Sequence, residues 1–347
     1  MYKRQQLYEA DEKHFRVVPD NGNGVRDLPR LATGQAVLVE GRNDENQIIG
    51  QLHLAFLMFH NAIVNLGHTF AEARRLATHY YQWAVLHDFL PGWVGQDVVD
   101  GILGGSIHRF YRPDDPRRPF TPLEWSVAAY RFGHSVVRDD YELNDTDVSH
   151  NIFDGTDNDL HGSRLLEAGR QIDWGDFEKP LQSAANTAAG NTQSPRKVDT
   201  HISNGLFLLP IGGLAGAEVS GLSSLPERNM IRGLFYGLPS GQDIAKAMGV
   251  PAIDPDVAID PSVVPGFERG TPAWYYMLKE AELAGGDLVG TVGGRIIADV
   301  FVGLLEADGD GILNRAVDFV ARPPVAPAVG TFGLADLLVF AGVATRP

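Results

Sequence analysis

The sequence predicts a mainly α-helical protein with long irregular connections and little or no β-sheet. The chain contains 39 glycines and 21 prolines, which interrupt regular secondary structure, and prolines cluster in 113–122 and 251–272. The segments between these breaks carry apolar residues at helical spacing, whereas the alternating Val- or Ile-rich runs typical of strands are scarce. No internal repeat at a fixed period is present.

Five segments are predicted to be helices from their apolar spacing. The first, Asp44–Asn65, is apolar on nearly all sides, which indicates a buried central helix. The second, Phe70–Phe89, is amphipathic. The third, Leu123–Arg138, follows a Thr-Pro pair, in which the threonine suits the N-cap and the proline suits the first helical position. The fourth and fifth are Ala273–Ala284 and Thr291–Glu306, and the fifth is apolar on most faces.

The whole chain, 1–347, is predicted to form one domain. Residues 1–41 are a loop-rich lead-in, and residues 144–200 are polar and Gly-rich with little periodicity. This second region is predicted to be a long loop carrying short helices. A loop of that length in a compact domain usually has a function or wraps another part of the molecule.

Composition excludes several classes of function. The chain has 29 Lys and Arg against 44 Asp and Glu, a formal net charge of −15, and no cysteine. Such a charge disfavours nucleic acids and anionic membrane surfaces as partners, and no run reaches the roughly 18 apolar residues of a membrane span. The first residues lack the apolar core of a signal peptide. Without cysteine, a metal or cofactor has to be held by His, carboxylate or Met.

Among the 11 histidines, His134 has the most informative surroundings. Arg131 and His134 stand three apart and share one face of the predicted helix. Gly133 lies beside them in a helix interior, where glycine costs about 1 kcal/mol relative to alanine. These residues fit a haem. The imidazole would bind the iron, the guanidinium would bind a propionate, and the flat macrocycle would lie against the glycine. An ordinary core helix with His134 paired to a carboxylate fits the same residues.

A second charged group stands where the first predicted helix begins. Arg42 and Glu45 are three residues apart and enter an apolar segment, which indicates either a structural ion pair or part of a site. Asp44 and Glu45 also suit the positive end of a helix dipole. The motifs of zinc proteases, serine hydrolases, dinucleotide-binding folds and P-loops are absent from the sequence.

Several segments resemble the animal-type haem peroxidases, in the form common among bacterial members. Residues 128–135 (AAYRFGHS) resemble the proximal-histidine motif, and residues 42–46 with 51–61 resemble the distal Arg-x-x-Glu segment and the helix after it. Residues 197–207 resemble the segment with the proximal asparagine. Agreement extends to residues 228–232, 237–242 and 292–302. The resemblance covers most of the chain and implies a haem-peroxidase-like helical domain.

This resemblance also implies a role for each matched residue. His134 would ligate the haem iron, Asn204 would accept the ring's other N–H, and Arg131 would bind a propionate. Arg42 would stabilise charge on the peroxide oxygen as the O–O bond breaks, and Glu45 matches a glutamate that can form an ester with a haem methyl. The implied function is a haem b peroxidase that reduces hydrogen peroxide and oxidises small organic or halide donors through a ferryl intermediate.

The chain departs from the family before Arg42. Family members place an Asp-His pair well upstream, where the histidine shuttles a proton of the peroxide and the aspartate helps hold a calcium ion. Here residues 1–41 contain one histidine, His14, without that context. The sequence therefore predicts that the distal base and the calcium ligands are absent, and that the domain is incomplete at its amino-terminal end relative to the family.

Alternative functions stay open at this point. One is a haem-binding protein that lacks peroxidase activity because the distal base is absent. Another is a fatty-acid dioxygenase of the same superfamily, but the radical tyrosine expected three residues before the proximal histidine is Arg131, with Tyr130 one residue away. A third is a helical interaction module in which His134 is structural. The sequence specifies neither the electron donor nor the oligomeric state nor the compartment.

Overall fold

The computed structural model of the chain describes residues 4–183, 192–209, 222–260, 262, 267 and 270–347. Helices dominate these residues, and the strands among them form one antiparallel pair, β1 (Asp140–Tyr141) with β2 (His150–Asn151). The predicted fold class, mainly α-helical with long irregular connections and little sheet, is therefore confirmed.

The α-helices of the described residues vary from single turns to long core helices. They are, in chain order, α1 (Arg4–Leu7), α2 (Gln47–Asn65), α3 (Phe70–Ala84), α4 (Leu90–Val94), α5 (Gln96–Leu103), α6 (Gly133–Val136), α7 (Trp174–Phe177), α8 (Leu225–Phe235), α9 (Gly241–Met248), α10 (Pro255–Ala258), α11 (Ala273–Leu283), α12 (Thr291–Ala307) and α13 (Leu334–Phe340). Tighter 3₁₀ turns cover Gly41–Asp44, Ala129–Phe132, Lys179–Leu181 and Asn204–Phe207, and wider π-helical turns cover Val85–Phe89 and Glu124–Ala128.

The first two predicted helices begin where side chains cap them. Helix α2 begins three residues later than predicted, because the extended Asn46 accepts the backbone N–H of Ile48 at 2.9 Å. Helix α3 begins at a reciprocal capping box between Thr69 and Glu72. The π turn that follows α3 carries the helical path on to Phe89, so this segment has the predicted length.

The third predicted helix, Leu123–Arg138, is not one regular α-helix. A π turn over Glu124–Ala128 passes into a 3₁₀ turn over Ala129–Phe132 and then into the short α6. At Ala128 the backbone leaves helical geometry, with φ −123° and ψ −76°. Such π turns occur frequently at functional sites, because they change the direction of the side chains that follow.

The largest apolar cluster holds the segment that carries His134. Helices α4, α5, α11 and α12 pack against residues 124–136, and Tyr276, Met277 and Ile297 are fully buried among them. A second cluster joins α2, α3 and α13. These buried contacts anchor the irregular 124–136 segment.

Helix α2 is the centre of the other half of the molecule. By length and composition it could cross a membrane, but half of its most apolar stretch is buried within the protein, as in a core helix. The long polar loop predicted over 144–200 lies along α2 in its described part. Gln51 of α2 donates to the carbonyl of Arg170 and accepts the N–H of Ile172, both at 2.9 Å. The loop therefore wraps a core helix.

Candidate functional site

His134 lies at the junction of α6 with the 3₁₀ turn before it, and an amide from α8 reaches its ring. The Nδ2 atom of Asn229 is 2.8 Å from Nδ1 of His134, and Asn229 is 1% exposed. The Nε2 atom of His134 makes no hydrogen bond with any described residue. Burial, assisted by the positive charge of Arg131, lowers the pKa of His134 to about 4. The imidazole is therefore neutral at neutral pH, which is the state that binds metals.

Arg131 is held close to this ring by neutral partners. Its Nε donates to the carbonyl of Ser126 at 2.9 Å, and its Nη1 donates to Oδ1 of Asn229 at 3.1 Å. The indole of Trp274 donates to the backbone carbonyl of Arg131 at 3.1 Å, which fixes the turn. Arg131 forms no ion pair with a carboxylate of the described residues.

Arg232 of α8 brings a second positive charge to the same place. Burial lowers the pKa of Arg131, and the nearby Arg232 lowers it further, since two cations repel each other. Arg232 also forms no ion pair within the described ranges. Two guanidinium groups that converge without a carboxylate form a site suited to anionic groups.

Asn229 connects the two parts of the site. With the amide as placed, its N–H donates to Nδ1 of His134 and its oxygen accepts from Arg131, which leaves the ring proton on Nε2. A metal on Nε2 requires the ring proton to be on Nδ1. Oδ1 of Asn229 would then accept the hydrogen bond from this N–H group. Rotation of the amide by 180° provides that arrangement, provided that Arg131 turns to another acceptor.

The expected contact between Asn204 and His134 is corrected by the structure. Asn204 is exposed at the start of a 3₁₀ turn, where its backbone N–H donates to the carboxylate of Asp139 at 2.6 Å. The amide at the ring belongs to Asn229, a buried polar residue on the amphipathic α8. Asn229 and Arg232 are three residues apart within residues 228–232, a segment that resembles the family. This spacing was the signal by which the sequence could have indicated that both belong to the site.

Arg42 lies on the surface and contacts a neighbour in sequence. Its Nε and Nη2 are 2.9 and 3.0 Å from the carboxylate oxygens of Glu40, which also caps the 3₁₀ turn, and its side chain is 63% exposed. No contact joins Arg42 to His134. Arg42 makes its direct ion pair with Glu40, which accepts from both its backbone and its side chain, and Glu45 acts on Arg42 only through a weaker charge interaction.

The buried charges of this region are on other residues. Asp44 is 3% exposed and binds Arg30 at 2.6 Å, and Arg30 also binds the buried Asp27 at 3.0 Å. Glu45 is half-buried, and its carbonyl accepts the N–H of Gly162 at 2.8 Å. The charged segment before α2 is therefore largely a structural ion-pair network that secures the loop.

The three histidines of residues 1–61 contact neighbouring side chains of the protein. His14 contacts Asp11 at 2.5 Å and Asn65 of α2 at 3.0 Å. His53 contacts Asn43 at 3.2 Å, and burial lowers its pKa. His60 is buried in the core, where its ring lies against Phe15 and Phe70, and burial lowers its pKa as well.

Gly133 and Tyr130 flank His134 in different ways. A Cβ atom added to Gly133 would meet nothing within 4 Å, so no protein atom accounts for the glycine, and the space beside His134 is open. Tyr130 stacks on Trp125, with ring centroids 4.4 Å apart. Within the described ranges, no group of three or more His, Asp or Glu is arranged to hold a metal ion.

Comparisons with known proteins show which family and fold the chain resembles. The sequence profile of the animal haem peroxidase domain matches residues 19–254. A chorion peroxidase of Aedes aegypti is 33% identical over 106 residues, which cover 26% of this chain and 13% of that protein. The solved structure of peroxidase A from Dictyostelium discoideum is similar in fold, with a TM-score of 0.58 and 15% identity over 96% of this chain and 65% of that one. The chain thus spans a small part of the first relative and just under two thirds of the second.

Proposed function

The chain belongs to the animal haem peroxidase family, and on that premise we propose that it binds haem at His134 and acts as a peroxidase. It would reduce hydrogen peroxide and oxidise small organic or halide donors. The observation that carries this proposal is the His134–Asn229–Arg131 group, in which a partly buried, neutral imidazole lies beside a guanidinium that forms no ion pair with a described carboxylate.

The residues present fit haem b in three respects. His134 offers a ring nitrogen that no described residue occupies. Arg131 and Arg232 are cations without carboxylate partners in the described structure, which suits the two propionates. Gly133 leaves space beside the ring that a flat macrocycle would fill. Haem bound there would supply the iron redox chemistry by which peroxide is reduced.

The protein side chains would prepare the site through Asn229. When Arg131 turns to a propionate, Oδ1 of Asn229 is released, and rotation of the amide lets this oxygen accept a hydrogen bond from the Nδ1–H group of His134. That hydrogen bond selects the tautomer with a lone pair on Nε2 and increases the basicity of the ring. Burial and the charge of Arg131 disfavour a proton on His134, so protons compete little for the same lone pair.

On the other side of the site, Glu45 and Arg42 keep the roles that the resemblance implies. Glu45 would form the ester link to the cofactor. Arg42 would stabilise negative charge on peroxide, which requires its guanidinium to leave Glu40 and turn inward.

A second candidate function follows from the position of Arg42. This side chain is exposed and bound to Glu40, so Arg42 does not contact the His134 group in the described structure. A haem-binding protein without peroxidase activity is therefore the alternative. The two functions share the cofactor and differ in the reaction with peroxide.

Haem titration followed by the Soret absorbance of a His-ligated haem tests the binding site. The wild-type chain should bind one haem, and His134→Ala should lose most of this binding. His201→Ala is the matched control, because His201 is a largely exposed histidine and should not change haem occupancy. Unchanged occupancy in His134→Ala would refute the site.

Peroxide-dependent oxidation of guaiacol by the haem-loaded chain then separates the two candidate functions. Turnover that falls in Arg42→Gln at equal haem occupancy supports the peroxidase. Full haem occupancy without turnover supports the second candidate.

A further inference from the structure

A cavity of about 440 Å³ lies outside the His134 group, between α9, α12 and the segment that precedes the π turn. Its volume is within the range of small-molecule sites, which is about 300–1,000 Å³. None of His134, Arg131 and Asn229 lines it. The cavity is therefore distinct from the side chains that are proposed to hold the haem.

The walls of the cavity are largely apolar and include unusually exposed aromatic rings. Phe110 and Phe120 line it, and each is 54% exposed. Ile244 of α9 and Ile296 of α12 form its buried floor. Half-exposed aromatic side chains in the wall of a cavity are typical of a surface that binds a flat apolar group.

Two of the charged groups in the wall are already occupied by protein partners. Asp299 binds Nε of Arg109 at 2.9 Å and accepts the backbone N–H groups of Phe110 and Tyr111. Asp243 accepts the hydroxyl of Ser240 at 2.7 Å in the cap of α9. These carboxylates are therefore explained by the fold.

Arg295 and Glu124 are the charges that the fold does not explain. Each is partly buried and lines the cavity, and neither forms an ion pair or a side-chain hydrogen bond with a described residue. Burial raises the pKa of Glu280, and the nearby Arg295 partly opposes this shift, but no direct contact joins the two groups. A partly buried charge without a direct partner is costly, and a ligand of opposite charge relieves that cost.

We propose that this cavity binds a small zwitterion with an apolar, aromatic body, the chemistry of an apolar amino acid. Arg295 binds its carboxylate, Glu124 binds its ammonium group, and the aromatic body lies between Phe110 and Phe120. A ligand with one charge would leave the opposite wall charge unpaired and would place its own charge near a like one. A zwitterion pairs with both Arg295 and Glu124 and leaves the net charge of the cavity unchanged.

Isothermal titration calorimetry on the full chain tests the ligand class with three probes of matched shape. They are L-phenylalanine, 3-phenylpropanoate, which lacks the ammonium group, and phenethylamine, which lacks the carboxylate. L-Phenylalanine should bind at least about tenfold more tightly than either analogue, because each charge-assisted contact is worth about a factor of ten or more. Equal affinity for one of the analogues would overturn the assignment of the missing group, and no binding of L-phenylalanine would overturn the site.

Substitutions then locate the two charges. Arg295→Gln should weaken L-phenylalanine binding about tenfold without weakening phenethylamine, and Glu124→Gln should weaken it similarly without weakening 3-phenylpropanoate. Ala247→Trp, at an exposed position in the wall, should block all three probes by filling the cavity. Arg75→Gln on α3 removes an exposed charge elsewhere and is the control, which should bind as the wild type does. Wild-type affinity in both charge variants would refute the proposal.

Discussion

Acidification is expected to destabilise the haem-free chain through His134. Burial and Arg131 hold the pKa of this imidazole at about 4 in the folded protein, whereas the ordinary value is 6.5. Between these two values the unfolded chain binds a proton that the folded chain does not. The free energy of unfolding therefore falls as the pH falls from 6.5 to 4, and rises again in the opposite direction.

The size of this effect follows from the two pKa values. Their separation corresponds to about 3 kcal/mol over the whole interval, and to about 2 kcal/mol between pH 7 and pH 5. The contacts explain why protonation is unfavourable. A proton on Nδ1 would face the NH₂ group of Asn229, and rotation of that amide would turn its NH₂ group toward Arg131.

Urea unfolding followed by far-ultraviolet circular dichroism measures the effect in haem-free protein. Between pH 7 and pH 5, His134→Gln should lose about 2 kcal/mol less stability than the wild type. The other histidines are present in both proteins, so their contributions cancel in the difference. His68→Gln, at a more exposed histidine without this environment, is the control and should behave as the wild type does.

Equal losses of stability in the wild type and His134→Gln would contradict the reasoning. His134 would then titrate at its ordinary pKa in the folded chain. The surroundings of the ring would then not disfavour a proton in the way that burial beside Arg131 requires, and the proposed haem site would lose this support.

Two further predictions concern side-chain contacts away from this titration. Asn229→Asp should raise the pKa of His134 in the haem-free chain, because a carboxylate beside Nδ1 favours the charged ring; an unchanged midpoint in the ring's NMR titration would mean that the two side chains are not in contact. Gly162→Ala should destabilise the chain by about 3 kcal/mol or more in urea unfolding, because the added Cβ would lie 1.8 Å from the backbone oxygen of Asp44. Gly92→Ala in α4, where a Cβ meets nothing within 4 Å, is the control, and a similar loss there would show that the effect is not steric.

The helices could be predicted where their causes are local. Apolar spacing located α2, α3, α11 and α12, and α2 and α3 begin at caps formed by residues next to them in sequence. The same reasoning failed for residues 123–138. Their pattern is helical, but packing against α11 and α12 imposes a π turn and then a 3₁₀ turn. A periodicity indicates that a segment is helical and does not distinguish the kinds of helical turn.

The site was only half predictable for the same reason. The neighbours Arg131, Gly133 and His134 are close in sequence, so their spacing indicated a common site. The asparagine could not be located this way, because Asn229 is 95 residues from His134 and Asn204 occurs in an equally suggestive segment. Arg42 was expected to face the interior, but Glu40 offers it a carboxylate at the surface.

By itself the sequence determined the fold class, the absence of cysteine chemistry and the histidine on which the candidate site is built. Only the tertiary structure decided which amide reaches that histidine, that Arg131 and Arg232 lie close together without an ion pair to a described acid, and that Arg295 and Glu124 line one cavity. The physical reason is that local sequence controls backbone propensity and caps, whereas desolvation and charge pairing depend on groups brought together from distant parts of the chain.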